Sequence, residues 1–394
     1  QACPTSIDIP QFIRKIATDN LQSSARTILS ANILGRACAR VCPVEVLCVG
    51  DCVLTAAGIP PIQIGKLQRY ATDAALAKGW QFFSAGPDSG RSVGLVGGGP
   101  ATIAAAHELR RLGHACTIYE KRDVLGGLNT WGVAPYKLTA DASVEEIDSV
   151  LAIGGIDVQY GVEVGGDVTW DELLARHDAL FIGFGLGPDR HLGVPGEDLK
   201  GVYGAVENIE ILKMGELEIS GAKAVVVVGG GNTAVDCVRE AQVFGGTEVT
   251  MVYRRDEGAM SGYSHEWNVA KVSGARGEWH ALPVAYEGAE QVERVRCVRL
   301  DADCKPIAGS EFTVPAEIVL VAVGQGKLGD LVAPLGLKTE WGKIVVDDDR
   351  ATSRPGVYAG GDCVNGGKEV VNAVDDGKVA ATAIDRYLKG GSNG

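Results

Sequence analysis

The chain has 394 residues, of which 46% are hydrophobic and 54 are glycine, and its 37 basic and 50 acidic side chains give a net charge of −13. This acidic balance disfavours nucleic acid or an anionic membrane as a partner, because both are bound through basic patches. No apolar run approaches the length of a membrane-spanning helix and no signal peptide opens the sequence, so we expect a cytoplasmic protein of two or three domains.

Residues 1–88 are predicted to be helical and rich in cysteine. The stretches "IPQFIRKIATDNLQSSARTILSAN" and "IGKLQRYATDAALAKGW" both have helical spacing of apolar residues. Cys38, Cys42, Cys48 and Cys52 fall between them, where we expect loops, and Cys3 lies upstream. In a large chain without a secretion signal, clustered cysteines indicate metal binding or catalysis rather than disulfides. A structural zinc on the four clustered cysteines is one alternative.

A strand, a glycine-rich turn, a helix and a second strand begin at Ser92, in "SVGLVGGGPATIAAAHELRRLGHACTIYEK". The turn has the frame G-x-G-x-x-T, in which glycines allow a tight turn and a close approach of the backbone to a pyrophosphate at the helix N-terminus. Thr102 stands where Gly or Ala is usual. The residues predicted to hold the phosphates are Gly97, Gly99, Pro100 and Ala101.

The second strand of this unit ends in Glu120, followed by Lys121, and both are predicted to contact the cofactor. An acid at this position binds a ribose hydroxyl and repels a 2′-phosphate. The first unit is therefore predicted to bind FAD or NAD rather than NADP.

The pattern returns in "KAVVVVGGGNTAVDCVREAQVFGGTEVTMVYRR" with the frame G-x-G-x-x-A. Its second strand ends without an acid and is followed by Arg254 and Arg255, and arginine pairs well with phosphate. This is the pattern expected for the 2′-phosphate of NADP. The loop residues predicted to hold the nucleotide are Gly229, Gly231, Asn232 and Thr233.

Two such units with opposite charge at the ribose position predict an α/β protein with two Rossmann-like domains, one for a flavin and one for NAD(P). We expect hydride to pass from nicotinamide to flavin, with the protein supplying orientation. Because this transfer requires no side-chain acid or base, no catalytic residue is predicted.

The order of these motifs, followed by "GVYAGGDCVNGGKEVVNAVDDG", resembles the two-dinucleotide-binding-domain flavoproteins. In particular, the chain resembles the branch that contains the glutamate synthase small subunit and the NAD(P)H-oxidising part of dihydropyrimidine dehydrogenase. The resemblance implies FAD contacts from a segment near residue 127 and from the late glycine-rich loop and helix. These residues are Gly127, Leu128, Gly361, Asp362, Val371, Asn372 and Ala373.

The same resemblance implies that the N-terminal cysteines bind [4Fe-4S] clusters. It places Cys3, Cys42, Cys48 and Gln68 on one cluster, and a glutamine ligand is typical of the pyrimidine enzymes. Cys52 is implied for a second cluster whose other ligands would precede residue 1. Cys38 has no ligand role, and the scattered Cys116, Cys237, Cys297 and Cys304 are predicted to be buried or neutral.

The predicted domains are an iron–sulfur domain over 1–88, an FAD domain over 89–222 and 327–394, and an NAD(P) domain over 223–326. The resemblance implies an NADPH-oxidising subunit whose FMN-containing partner reduces uracil or thymine. The alternatives are a glutamate synthase small subunit, a related bifurcating or ferredoxin-linked oxidoreductase, and a zinc-bearing assembly module with vestigial nucleotide loops.

Overall fold

The computed structural model describes residues 2–215 and 221–390, and the chain divides into two units. The first unit comprises residues 1–130, 137–186 and 327–394, and the second comprises 131–136 and 187–326. Within the described residues, no helix is long and apolar enough to cross a membrane.

The N-terminal part of the first unit is helical. Asp8 and Asn20 each cap a helix by accepting a hydrogen bond from a backbone N–H three residues on. The first predicted helical stretch is therefore two helices, which the chain separates with a left-handed turn at Asp19 (φ 55°). The helices are α1 (Ile9–Ala17), α2 (Leu21–Ala31), α3 (Gly35–Val41), α4 (Val53–Ala56) and α5 (Ile64–Ala77), with a 3-10 turn at Val44–Val46.

A Rossmann-type alternation of strands and helices follows. Its first strand is buried from Val93 to Val96, as expected for a parallel strand covered on both faces. The elements are β1 (Ser92–Val96), α6 (Pro100–Arg111), β2 (Ala115–Glu120), α7 (Leu128–Trp131), α8 (Ala140–Leu151), β3 (Ile156–Tyr160), α9 (Trp170–Arg176) and β4 (Ala179–Ile182).

The second unit repeats this alternation and adds an antiparallel sheet. Its elements are β5 (Val202–Gly204), α10 (Ala205–Met214), β6 (Ala224–Val228), α11 (Asn232–Val243), β7 (Glu248–Tyr253), α12 (Ser264–Val272), β8 (Arg276–Trp279), β9 (Ala281–Glu287), β10 (Arg294–Arg299), β11 (Phe312–Pro315) and β12 (Ile318–Val321). A parallel sheet has the order β5-β12-β6-β7-β8, and the antiparallel sheet has the order β11-β10-β9. A 3-10 turn lies at Glu257–Ala259.

The chain then returns to complete the first unit. The returning elements are β13 (Thr339–Glu340), β14 (Lys343–Ile344), β15 (Val357–Ala359), α13 (Asp362–Asn365) and α14 (Val370–Leu388), after a 3-10 helix at Gly329–Leu335. Strand β15 pairs with β4, which gives the parallel order β15-β4-β1-β2-β3. The predicted α/β class with parallel sheets is confirmed.

Helices α6 and α14 pack against each other at backbone distance. A Cβ atom added to Gly377 would lie 2.2 Å from the carbonyl oxygen of Ala101 and 2.9 Å from the nitrogen of Ala105. The contact therefore admits only glycine. It places the start of α6, where a phosphate is predicted to bind, against the returning segment of the chain.

Candidate functional site

The first glycine loop joins β1 to α6. Gly97 has a φ of 88°, and a Cβ there would lie 2.6 Å from Phe184 Cα. Gly99 caps α6 without any side-chain hydrogen bond, so the N–H groups of the first helical turn face outwards for a ligand. This is a cradle that side chains would fill, and it fits a pyrophosphate.

Glu120 lies beside this loop and is only 8% exposed. One carboxylate oxygen accepts a hydrogen bond from Gly98 N at 2.6 Å, and the other accepts one from Arg122 N at 2.9 Å. A carboxylate has about four acceptor positions, so a ribose hydroxyl can still bind there. Lys121, the next residue, is exposed.

The segment around Gly127 covers the same loop. Gly126 N donates to Gly98 O at 2.8 Å, and a Cβ on Gly127 (φ 52°) would lie 3.0 Å from Gly99 Cα. Leu128 then begins α7. The structure thus brings together two segments that are about thirty residues apart in the sequence.

The late glycine-rich loop reaches the start of α6 from the other side. Gly361 has a φ of 76°, and a Cβ there would lie 3.2 Å from Ala101 Cβ and 3.8 Å from Ala373 Cβ. Burial raises the pKa of Asp362, whose carboxylate accepts a hydrogen bond from Lys368 N at 3.2 Å. Val371 and Asn372 lie in the first turn of α14, with Val371 buried.

Asp376 positions this late loop, and the motifs of the sequence do not identify it. Its carboxylate accepts hydrogen bonds from Gly361 N at 2.8 Å and from Arg350 Nε at 2.7 Å. The available signal was an acid at an inward-facing position of α14, between the buried Ala373 and Ala380. Buried carboxylates are rare unless they are paired.

Thr102, the departure from the glycine frame, is accommodated by a glycine elsewhere. Thr102 is fully buried in α6, and a Cβ on Gly183 would lie 2.3 Å from its hydroxyl oxygen. Gly183, which follows β4, has no side chain, and this leaves the room that the Thr102 side chain needs.

The second glycine loop joins β6 to α11 and has the same backbone plan. Gly229 has a φ of 140°, and a Cβ there would lie 2.3 Å from Ala322 O. A Cβ on Gly230 would lie 2.6 Å from the Tyr253 ring. Gly231 caps α11 without a side-chain hydrogen bond, so this helix also begins with N–H groups suited to phosphate.

The surroundings of the second loop differ from those of the first. Asn232 Oδ1 accepts a hydrogen bond from Tyr263 N at 2.9 Å, whereas Thr233 is exposed. Arg254 and Arg255 are exposed at the end of β7, and neither is paired with a carboxylate of residues 2–215 or 221–390. Cys304 was predicted to be buried or neutral; it is exposed, so the first alternative is wrong, and its thiol lies 3.7 Å from Arg254 O.

Three of the predicted cluster cysteines influence one another in the N-terminal helical region. A hydrogen bond with Cys38, burial and the charges of Cys38, Glu369 and Cys3 raise the pKa of Cys42 well above its usual value. Burial and Cys3 raise the pKa of Cys48 to about 11. Thiols that oppose one another's ionisation in this way become thiolates readily only when a positive centre binds them.

Gln68 on α5 is 7% exposed, and its amide is held in a defined direction. Nε2 donates a hydrogen bond to Gly35 O at 2.7 Å. Since the nitrogen is used by the protein, the oxygen Oε1 is the atom left to act as a ligand. The predicted set of Cys3, Cys42, Cys48 and Gln68 offers three thiols and an amide oxygen, and donors of these types suit an iron–sulfur cluster.

Cys52 and Cys38 occupy different settings. Cys52 caps α4, and backbone N–H groups near Ile62 and Leu54 lower the pKa of its thiol. Cys38 lies inside α3 rather than in a loop, because "GRACARV" continues a helical turn up to Cys42. Among the described residues, no three His, Cys, Asp or Glu side chains converge closely enough to hold a single metal ion.

The start of α14 lies close to the cysteines. The charge of Glu369, the residue that caps α14, raises the pKa of Cys42. The first turn of the same helix contains Val371, Asn372 and Ala373, which the resemblance assigns to the flavin. Helices α14 and α3 also pack against each other, so the predicted flavin segment and the predicted ligand Cys42, which caps α3, lie in the same part of the first unit.

Two dinucleotide cradles and a cysteine-rich domain define a flavin- and pyridine-nucleotide-dependent oxidoreductase. The family described as pyridine nucleotide-disulphide oxidoreductase matches residues 91–377. The family described as dihydropyrimidine dehydrogenase domain II, 4Fe-4S cluster, matches residues 1–80. The chain belongs to the pyridine nucleotide-disulphide oxidoreductase family. It binds FAD and NAD(P)H, and its N-terminal domain holds a [4Fe-4S] cluster.

Two relatives align with nearly all of the chain. The glutamate synthase [NADPH] small chain of Azospirillum brasilense is 35% identical over 98% of this chain and 85% of its own length. The NAD-dependent dihydropyrimidine dehydrogenase subunit PreT of Escherichia coli is 33% identical over 99% of this chain and 90% of its own length. The resemblance to this branch is confirmed.

A solved structure shares the fold. Mycobacterium tuberculosis FprA in complex with NADPH aligns with a TM-score of 0.59 and 21% identity, over 76% of this chain and 85% of the other. Bound FAD supplies hydride acceptance and one-electron donation to this class of protein. The two glycine loops of this chain have the backbone shape of phosphate cradles, and its N-terminal helical region contains the cysteines.

Proposed function

We propose that the chain is the electron-input subunit of a dihydropyrimidine dehydrogenase. NADPH reduces FAD, and the electrons pass through [4Fe-4S] to an FMN-containing partner chain that reduces uracil or thymine. The proposal retains the domain boundaries and the site residues assigned from the sequence, with Cys52 on a second cluster. The names of the relatives, a small chain and a subunit, support a partner chain.

Gln68 carries the choice of the pyrimidine enzyme. Its buried amide donates to Gly35 O, which leaves the neutral amide oxygen available as the proposed fourth ligand. The resemblance associates a glutamine here with dihydropyrimidine dehydrogenases and a glutamate with glutamate synthases. Helix α14, whose first turn is assigned to the flavin, packs against α3, which Cys42 caps, and this supports electron passage from the flavin to this cluster.

Arg254 and Arg255 support NADPH as the electron donor. Both are exposed at the tip of β7, beside a glycine loop that has no acid at the ribose position. Two guanidinium groups at this place suit a 2′-phosphate. Glu120 occupies the equivalent place in the first unit and supports FAD there.

A glutamate synthase small subunit is the second candidate, favoured by the 35% identity to that small chain. Reconstitution separates the two. The anaerobically purified chain is mixed either with an FMN-containing pyrimidine-reducing chain or with a glutamate synthase large chain, and NADPH oxidation is followed with each substrate. We expect dihydrouracil from uracil with the first partner. Glutamate formation with the second partner and no uracil reduction with the first would contradict the proposal.

A further inference from the structure

Glu146 is a buried carboxylate that joins the sheet-containing part of the first unit to its cysteine region. It lies on α8 and is 5% exposed. One oxygen accepts a hydrogen bond from Arg36 N at 2.7 Å, and the other accepts one from Ala37 N at 2.9 Å. These are N–H groups in the first turn of α3, which have no partner inside the helix.

Helix α3 connects two proposed cluster ligands. It ends at Val41 and is capped by Cys42, whose N donates to Cys38 O at 3.0 Å. Its first residue, Gly35, accepts the hydrogen bond that fixes the amide of Gln68. A shift of α3 therefore moves the Cys42 thiol and releases the Gln68 amide together.

Arginine side chains of α3 extend this connection. Arg36 Nε donates to Asp73 on α5 at 2.8 Å, and Arg40 donates to the same carboxylate at 2.7 Å. Arg36 also donates to Ala142 O at 2.6 Å. Helix α3 is thus fixed to the helix that carries Gln68 and to the helix that carries Glu146.

The neighbouring Glu145 provides a natural comparison. It pairs with Arg36 through an oxygen at 3.0 Å, but its side chain is 58% exposed. An exposed pair of this kind contributes little to stability, whereas a buried carboxylate that satisfies two N–H groups leaves both unsatisfied when it is removed. The two adjacent acids therefore differ in burial and in what they contact.

We propose that Glu146 is a positioning residue for the iron–sulfur cluster: by holding the start of α3 it sets the position of Cys42 and the direction of the Gln68 amide. The proposal rests on the proposed ligand set of Cys3, Cys42, Cys48 and Gln68. The cluster's reduction potential and its electron paramagnetic resonance (EPR) signal depend on this geometry.

The test compares Glu146→Gln with Glu145→Gln in the full chain, purified anaerobically with FAD and iron bound. In Glu146→Gln the new amide nitrogen is a donor that faces the N–H group of Arg36 or Ala37, so one of these two groups loses its acceptor. We expect a changed EPR spectrum after dithionite reduction, a shifted midpoint potential and about tenfold faster iron release to a chelator. Flavin content and flavin reduction by NADPH stay as in the unmodified protein. Glu145→Gln leaves all these quantities unchanged.

An unchanged EPR spectrum and potential in Glu146→Gln would overturn the proposal. If that variant does not retain FAD, Glu146→Asp is measured instead. Its side chain keeps the negative charge but is shorter by one methylene group. An unaltered cluster signal in Glu146→Asp would also overturn the proposal. Gln68→Ala distinguishes an error in the proposed ligand set from an error in the proposed role of Glu146. If it leaves the cluster signal unaltered, the ligand set itself is wrong; if it alters the signal while both Glu146 variants do not, only the role of Glu146 is refuted.

Discussion

The first and second glycine loops have the same turn but opposite charge beside them. In the first, the Glu120 carboxylate accepts a hydrogen bond from Gly98 N, and two other segments of the unit close over the turn. In the second, the ring of Tyr253 packs under Gly230, and the exposed Arg254 follows on the same strand. We therefore expect the turn to bind the pyrophosphate of each dinucleotide, and the charge at the end of the following strand to distinguish their ribose groups.

The two loops also differ in which segments pack behind them. Gly377 brings α14, from the end of the chain, onto the backbone of α6 directly behind the first loop, and Gly361 lies against Ala101. The second loop lies against the residue that follows β12, where a Cβ on Gly229 would meet Ala322 O at 2.3 Å. We expect damage to the contact between α6 and α14 to affect folding and FAD retention, and removal of the arginines beside the second loop to affect nucleotide affinity.

The largest expected effect comes from Gly377→Ala. The new methyl group would meet the backbone of Ala101 at 2.2 Å, so α6 and α14 must separate. We expect a loss of about 3 kcal/mol of unfolding free energy and release of FAD, measured by denaturant unfolding and flavin fluorescence. Gly166→Ala is the control, because its Cβ has ordinary contacts from 3.6 Å. Full FAD retention in Gly377→Ala would show that the first loop is not enclosed as described.

The next largest effect is expected from Gly183→Ala, which tests whether Gly183 makes room for Thr102. Gly183→Ala is expected to cost about 1–3 kcal/mol of unfolding free energy, because its methyl group would meet the Thr102 hydroxyl at 2.3 Å. Adding Thr102→Ala removes that hydroxyl, so the double variant should recover most of the loss. A double-mutant cycle in denaturant measures the coupling. Purely additive effects would mean that the two residues do not share this space.

Removing the arginines tests the charge difference between the loops. We expect Arg254→Ala and Arg255→Ala to raise the KM for NADPH about tenfold, because each removes a charged partner of the 2′-phosphate, and to leave the KM for NADH nearly unchanged. Steady-state kinetics with a flavin-linked dye measures both. Arg276→Ala, at an exposed arginine of β8, is the control. An unaltered KM for NADPH in Arg254→Ala refutes the role of that residue.

The smallest effect concerns Cys304, whose exposed thiol lies 3.7 Å from Arg254 O. Bound NADPH should slow alkylation of this thiol a few-fold, while NADH at the same concentration should protect it less. Mass spectrometry of the modified peptide measures the rate, and Cys304→Ser shows the background. Equal protection by both nucleotides would place the 2′-phosphate away from Arg254.

The local parts of both cradles could be predicted from the sequence. An apolar run, a glycine turn and a helix are adjacent in the chain, so β1 with α6 and β6 with α11 follow from periodicity and turn chemistry alone. The acid or arginine at the end of the second strand lies at a regular distance from the turn. Hydrogen bonds within these short units decide their structure, and the residues that make these bonds are close together in the sequence.

The remaining contacts join distant parts of the chain and could not be predicted in this way. The contact of Gly377 with Ala101, the hydrogen bond from Gly361 to Asp376 and the capping of α3 by Glu146 all depend on the tertiary fold. A single sequence shows Glu146 only as one of many acids. The break between α1 and α2 was also missed, because apolar periodicity continues across Asp19 and Asn20.

An anaerobic titration of the purified chain tests whether one loop holds FAD and the other NADPH. NADPH and NADH are added separately while the visible absorbance of the flavin is followed. We expect the purified chain to show flavin absorbance and NADPH to bleach it at about a tenfold lower concentration than NADH. A chain without flavin absorbance, or a bound flavin that NADPH does not bleach, would contradict this expectation.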